Sequence, residues 1–340
     1  MTTVPLWAWL ALGAVIAVML LIDLFAHRRT HVIGFREAAT WSAVWVGVSL
    51  IFALVVGFTL GAGPAVDFTT AWLLEKSLSV DNLFVFALIF GYFQVPRQYQ
   101  HRVLFFGVLG ALVFRGVFLA AGVAVVSRFA AVLFVFGAIL VWSAIKLLRD
   151  EDDTVDPGKS LAVRLLRKVV PVSEEYHGAR FVVREAGRRV ATPLLAVVVA
   201  IEAADLVFAV DSVPAVLAVS DNAFIVYSSN AFAILGLRAL YFLLSGLLER
   251  FEHLGKALAF ILAFIGVKLF LQAAHKTISE SVPEIPSLLS LGVIVSALTI
   301  AVVAGLRQPT ELPQPIKESA ADSMSDSDSS TKVAASPSGT

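Results

Sequence analysis

The chain has 340 residues, 58% of them hydrophobic and 15% charged, with 26 Lys and Arg balancing 26 Asp and Glu; its mean hydropathy is +0.85. A soluble domain carries about 25% charged residues, so an ordinary water-soluble fold is excluded. No cysteine is present, which removes disulfides, thiolate metal sites and dithiol redox chemistry from the chain's own repertoire.

The apolar residues fall in blocks of about 20, the length at which an α-helix crosses roughly 30 Å of hydrocarbon. They predict an all-α polytopic membrane protein with nine spans, at about 6–26, 41–62, 71–93, 102–126, 129–148, 193–217, 223–247, 257–274 and 287–306. Span 1 lacks a basic leader and a small-residue cleavage pattern, so it reads as a retained helix. Asp23 lies near its inner end, beside Arg28, as a site member or an interfacial residue.

Span 3 carries the first acidic motif, Glu75-Lys76-Ser77-Leu78-Ser79-Val80-Asp81-Asn82; Arg115 follows in span 4 and Lys146 near the end of span 5. The connection 149–192 opens with Asp150-Glu151-Asp152-Asp153. Its Leu161–Val170 segment reads as an amphipathic interfacial helix, and Phe181–Val190, split by Gly187, as a small hairpin. Span 6 holds the second motif, Glu202-Ala203-Ala204-Asp205 running on to Asp211-Ser212-Val213-Pro214, where the proline predicts a local helix break. Arg238 sits in span 7 and Lys268 in span 8, and both lysines are expected to snorkel toward the interface. Beyond Pro309 the Ser-, Asp- and Ala-rich tail cannot bury enough apolar surface to fold.

Four parts result: an N-terminal transmembrane half (1–148), a cytoplasmic connection (149–192), a C-terminal transmembrane half (193–306) and a disordered cytoplasmic tail (307–340). The orientation follows from basic residues, which favour the cytoplasmic side. Odd-numbered connections are rich in Lys and Arg, and residues 63–70 and 218–222 have none. The N-terminus is therefore expected outside and the C-terminus in the cytoplasm, in a cell (inner or plasma) membrane.

An internal repeat overlies this plan. Glu75 and Asp205 lie 130 positions apart, as do Asp81 and Asp211; Arg115 and Arg238 are 123 apart, and Lys146 and Lys268 are 122 apart. Spans 3–5 and 6–8 thus read acid, acid, arginine, lysine. They enter the membrane from opposite sides, the inverted-repeat arrangement found around the substrate sites of many secondary transporters.

Buried ionisable residues in a membrane cost roughly 2.5–3.5 kcal/mol each on insertion scales, so five acids in two spans need a role. Glu75, Ser79 and Asn82 share one helical stripe, as do Asp205 and Ser212, with Glu202 three residues before Asp205; Asp81 and Asp211 point about 120° away from these stripes. The candidate metal ligands are Glu75, Asp81, Asn82, Glu202, Asp205, Asp211 and Ser212, with Arg115 and Arg238 as internal counter-charges. The competing reading makes the same acids a scaffold that only neutralises those arginines. Oxygen ligands without thiolate suit Mn²⁺, Mg²⁺ or Ca²⁺ over Zn²⁺ or Cu⁺, and chemistry alone leaves those three, and Na⁺ or H⁺ coupling, open. No Walker A loop points to ATP hydrolysis.

The motif Glu75 to Asn82, the run Thr192 to Ala215 and the run Ser229-Asn230-Ala231-Phe232-Ala233-Ile234-Leu235-Gly236-Leu237-Arg238 resemble the TerC family over about residues 10–306, as does Tyr176-His177-Gly178. The resemblance implies an integral membrane protein of a family once named for tellurium resistance, with relatives that export manganese. Its acidic residues map onto Glu75, Asp81, Glu202, Asp205 and Asp211. The expectation is a secondary transporter exporting a divalent cation, Mn²⁺ first among the candidates, and not an enzyme. Mn²⁺ would be substrate; no organic cofactor is expected, and the partners are the metal ion and the lipid bilayer, without nucleic acid. The alternative is a non-transporting membrane assembly or stress protein.

Overall fold

The computed structural model describes residues 4–26, 34–149, 173, 176–185, 188–244 and 252–307. The side chain of Asp81, the segment Leu161–Val170 and the tail from 308 lie outside the described residues. In chain order the elements are α1 (Leu6–Ala26), α2 (Phe35–Leu60), α3 (Ala62–Tyr92), α4 (Arg97–Arg128), α5 (Val132–Arg149), β1 (Val182–Glu185), β2 (Arg188–Ala191), α6 (Pro193–Leu217), α7 (Ala223–Leu235), α8 (Leu237–Leu244), α9 (Glu252–Thr277) and α10 (Ser287–Arg307).

The protein is an all-α polytopic membrane protein. Seven of these helices are long and apolar enough to cross a bilayer, and α7 with α8, bent by 41°, makes an eighth candidate. Helix α3 covers the predicted third span in 31 residues, about 46 Å at 1.5 Å per residue, but it carries Asp67, Glu75, Lys76 and Asp81. Large apolar side chains such as Phe58, Ile51 and Val117 face outward, as they must where the solvent is hydrocarbon. The hairpin expected over Phe181–Val190 is present, with Val182 paired to Ala191 and Arg184 to Arg189.

Without a hydrophobic driving force in lipid, helices associate through close backbone approach at small residues. Helices α5 and α9 meet in this way at Gly137 and Gly266: a Cβ on either would lie 3.0 Å from the other's carbonyl oxygen. Helix α4 approaches α6 at Gly107, against Ile201, and at Gly110, where the Glu202 carboxyl fills the space a side chain would need. Around α2, α3 and α7 an aromatic cluster takes over, with Phe52 stacked 4.4 Å from Phe232 and Phe68 edge-on to Phe232.

Two local expectations are corrected. Helix α6 runs unbroken through Pro214; the ring removes one hydrogen bond, to the Val210 carbonyl, and the remaining ladder and packing hold the helix. The break falls instead at Gly236, between α7 and α8. Lys76 of α3 donates to the Ala233 carbonyl at 3.0 Å, supplying a donor at the C-terminal end of α7, where helical carbonyls run out of partners. Lys268 does not snorkel: it is 5% exposed and donates to Ser290 Oγ at 3.1 Å.

Candidate functional site

The stripe Glu75, Ser79 and Asn82 is buried on α3, and Asp205 with Ser212 is buried on α6. Both stripes converge on Arg115 of α4, which is 1% exposed. Its guanidinium donates to both carboxylate oxygens of Asp205, at 2.7 and 3.2 Å, and forms an ion pair with Glu75. Asn82, its amide oriented to satisfy both neighbours, accepts from the same guanidinium at 2.9 Å and donates to the Leu78 carbonyl at 3.1 Å. A planar five-donor fork suits such a multiple role better than a lysine would.

Arg238, the second expected counter-charge, pairs with a residue outside both repeats. It donates to both the backbone carbonyl and the carboxylate of Asp23, at 2.6 and 2.5 Å, with both residues 3% exposed. Asp23 is thereby a buried partner of α8, and Arg238 counters the charge of α1. Nothing in the repeat pattern pointed to this pair, because Asp23 lies outside both repeats.

Asp211 lies six residues beyond Asp205, about 120° around the helix, and so faces α5. Ser143 Oγ donates to its carboxylate at 2.6 Å. Together they open into a cavity of about 650 Å³ that is also lined by Asn82, Ser212, Arg115, Lys146 and Val210. Among the described residues Asp211 is the carboxylate in that lining. Ser212 is 2% exposed and its hydroxyl has no hydrogen-bond partner among the described residues, and the Val210 carbonyl has lost its helical donor to Pro214. Ser143 was the residue that sequence reasoning missed; a serine in an apolar span is an ordinary packing residue until a carboxylate is placed opposite it.

Glu202 packs over Gly110, with one carboxylate oxygen buried and without a hydrogen-bond partner among the described residues. Among the described residues, no group of three or more His, Asp or Glu comes together as a metal cage. The predicted ligands instead divide between the Arg115 cluster (Glu75, Asn82, Asp205) and the cavity (Asn82, Asp211, Ser212), with Asn82 common to both. The side chain of Asp81 lies outside the described residues; its neighbour Asn82 lines the cavity.

Comparison with known proteins agrees with this architecture. The integral membrane protein TerC family matches residues 60–311. An uncharacterized membrane protein of Myxococcus xanthus is 41% identical over 306 residues, covering 90% of this chain and 93% of the relative. A putative membrane-bound redox modulator, Alx, of Photorhabdus laumondii is 42% identical over 299 residues (85% and 93%), and its namesake in Escherichia coli is 40% identical over 305 residues (87% and 92%). No solved structure matches. With a family match over most of its length and relatives aligned nearly end to end, this chain belongs to the TerC family of integral membrane proteins.

Proposed function

We propose that this protein is a secondary transporter that moves a divalent cation, with Mn²⁺ as the expected substrate, out of the cytoplasm. One observation carries the reading: Asp211, oriented by Ser143, opens into a cavity with Asn82, Ser212 and the Val210 carbonyl around it. Hard cations of this kind take carboxylate, amide, hydroxyl and carbonyl oxygens together. A lone carboxylate is a weak site for a dication, and Asp81, adjacent to Asn82 on α3, is the second carboxylate we assign to the substrate. In this reading the N-terminus is outside, the C-terminus is cytoplasmic in the cell membrane, and the 3–5 and 6–8 halves are inverted repeats meeting at the cavity.

The pairing of Glu75 and Asp205 with Arg115, and of Asp23 with Arg238, favours a second role for those acids. They neutralise buried arginines and hold α1, α3, α4, α6 and α8 together, the scaffold reading confined to part of the acidic set. A redox role such as the relatives' name describes has no thiol to act through in this chain, which lacks cysteine; metal export would affect redox balance indirectly.

The test is Mn²⁺ flux into proteoliposomes with Mg²⁺ and Ca²⁺ as competitors. Asp211→Asn keeps the shape and the Ser143 hydrogen bond while removing the charge, so insertion and thermal stability should be retained while flux falls at least tenfold. Flux equal to the parent's at matched insertion would assign Asp211 to the scaffold and end the transporter reading.

A further inference from the structure

We propose that the arginine face of the β1–β2 hairpin is a docking surface for anionic phospholipid, with Arg184 and Arg189 clasping one headgroup phosphate. The argument starts from register. Arg184 and Arg189 are directly opposed across the antiparallel pair, so both side chains stand on one face, with Cβ atoms about 4.5–5.5 Å apart. Like charges so placed repel, and an anion between them turns that repulsion into two charge-assisted hydrogen-bonding sites. Both side chains are exposed, and among the described residues no carboxylate meets either.

Period-two alternation puts Val182 and Ala191 on the same face. Val182 is 48% exposed, which gives the face an apolar edge beside its cations. That combination fits a bilayer interface better than it fits water or a free anion. The position along the chain agrees: β2 ends at Ala191 and α6 begins at Pro193, so Arg189 is four residues, at most about 13 Å, from the first residue of a span. Headgroup regions occupy roughly 5–7 Å on each side of the hydrocarbon, within reach of a long arginine side chain.

The hairpin is also held rigidly at that level. Phe181 stacks edge-on against Phe106 of α4 at 5.0 Å and lies under Arg102 at 5.2 Å. Thr192 locks the base through its hydroxyl to the Arg180 carbonyl at 2.6 Å and its amide to the Phe181 carbonyl at 2.9 Å. Arg102 and Arg180, both exposed, add to the positive field at this end of α4 and α6. A backbone anchored in this way fixes the spacing of Arg184 and Arg189, so only their side chains lose freedom on binding.

The experiment measures association of spin-labelled phosphatidylglycerol and phosphatidylcholine with the full-length protein in phosphatidylcholine bilayers. The parent should select phosphatidylglycerol, and Arg184→Gln with Arg189→Gln should lower that selectivity by about fivefold per arginine, leaving phosphatidylcholine association unchanged. Arg184→Lys with Arg189→Lys, which keeps the charge and loses the fork, should retain part of it. Unchanged selectivity in the Gln variant overturns the proposal. So does equal competition by inorganic phosphate, which would make the site one for free anions. Selectivity that emerges only after Asp150-Glu151-Asp152-Asp153 is neutralised also overturns it, because the occupant would then be the chain's own acidic run.

Discussion

Arg115 and Arg238 occupy matching places in the sequence and do different work. Arg115 joins α3, α4 and α6 through Glu75 and Asp205, and Arg238 ties α8 to α1 through Asp23. Removing one partner of a buried pair leaves an uncompensated charge, a loss of about 3–5 kcal/mol. Arg238→Gln and Asp23→Asn should therefore each lower the yield of folded protein and its melting temperature in detergent. The double variant should recover much of the loss, and a double variant as unstable as the sum of the singles would show that the two residues act independently. Lys146 raises a separate question, since it lines the same cavity as Asp211. Its ammonium opposes a dication there, and Lys146→Gln should strengthen Mn²⁺ binding by about 1 kcal/mol, roughly fivefold, as read by isothermal titration. Weaker binding in that variant would mean that the lysine orders the carboxylate instead of competing with the metal.

At the scale of elements, small residues decide where helices touch, and a single glycine can be tested. Gly266 faces Val141 and the Gly137 carbonyl, and its added Cβ would fall 2.7 Å from Val141 Cγ2 and 3.0 Å from that oxygen. Because one of those neighbours is backbone, Gly266→Ala must push α9 away from α5, at an expected loss of about 1–3 kcal/mol. Gly47→Ala is the contrasting case: a Cβ there, within α2, would meet nothing within 4 Å, so the loss should be small or absent. Melting temperatures of the two variants in one detergent measure the difference. Equal losses would show that the α5–α9 approach is not limited by backbone. The broken helix α7–α8 lay unseen in the sequence because Leu235-Gly236-Leu237 looks like any apolar run, whereas Pro214 drew the eye to a helix that stays whole.

At the scale of the whole molecule, the proposed orientation predicts that reporters fused within 149–192 or after Pro309 read cytoplasmic, and those near residues 65 and 281 read external. A reporter in 149–192 that reads external would reverse the assignment and remove the inverted relation between the halves. The all-α membrane class, most of the apolar helices and the buried acidic stripes were legible in the sequence, though not the count of nine spans, because hydrocarbon admits only backbone that satisfies itself and because helical periodicity assigns residues to faces. Periodicity also separated Asp211 from Asp205 before any contact was known. The partners of the charges were not legible. Asp23 with Arg238, Ser143 with Asp211 and Lys268 with Ser290 join residues 215, 68 and 22 positions apart, and sequence spacing speaks only for neighbours within one helix. Which buried acid is neutralised and which is left facing a cavity depends on how helices pack against one another, and that was decided by the glycine contacts and the tertiary fold.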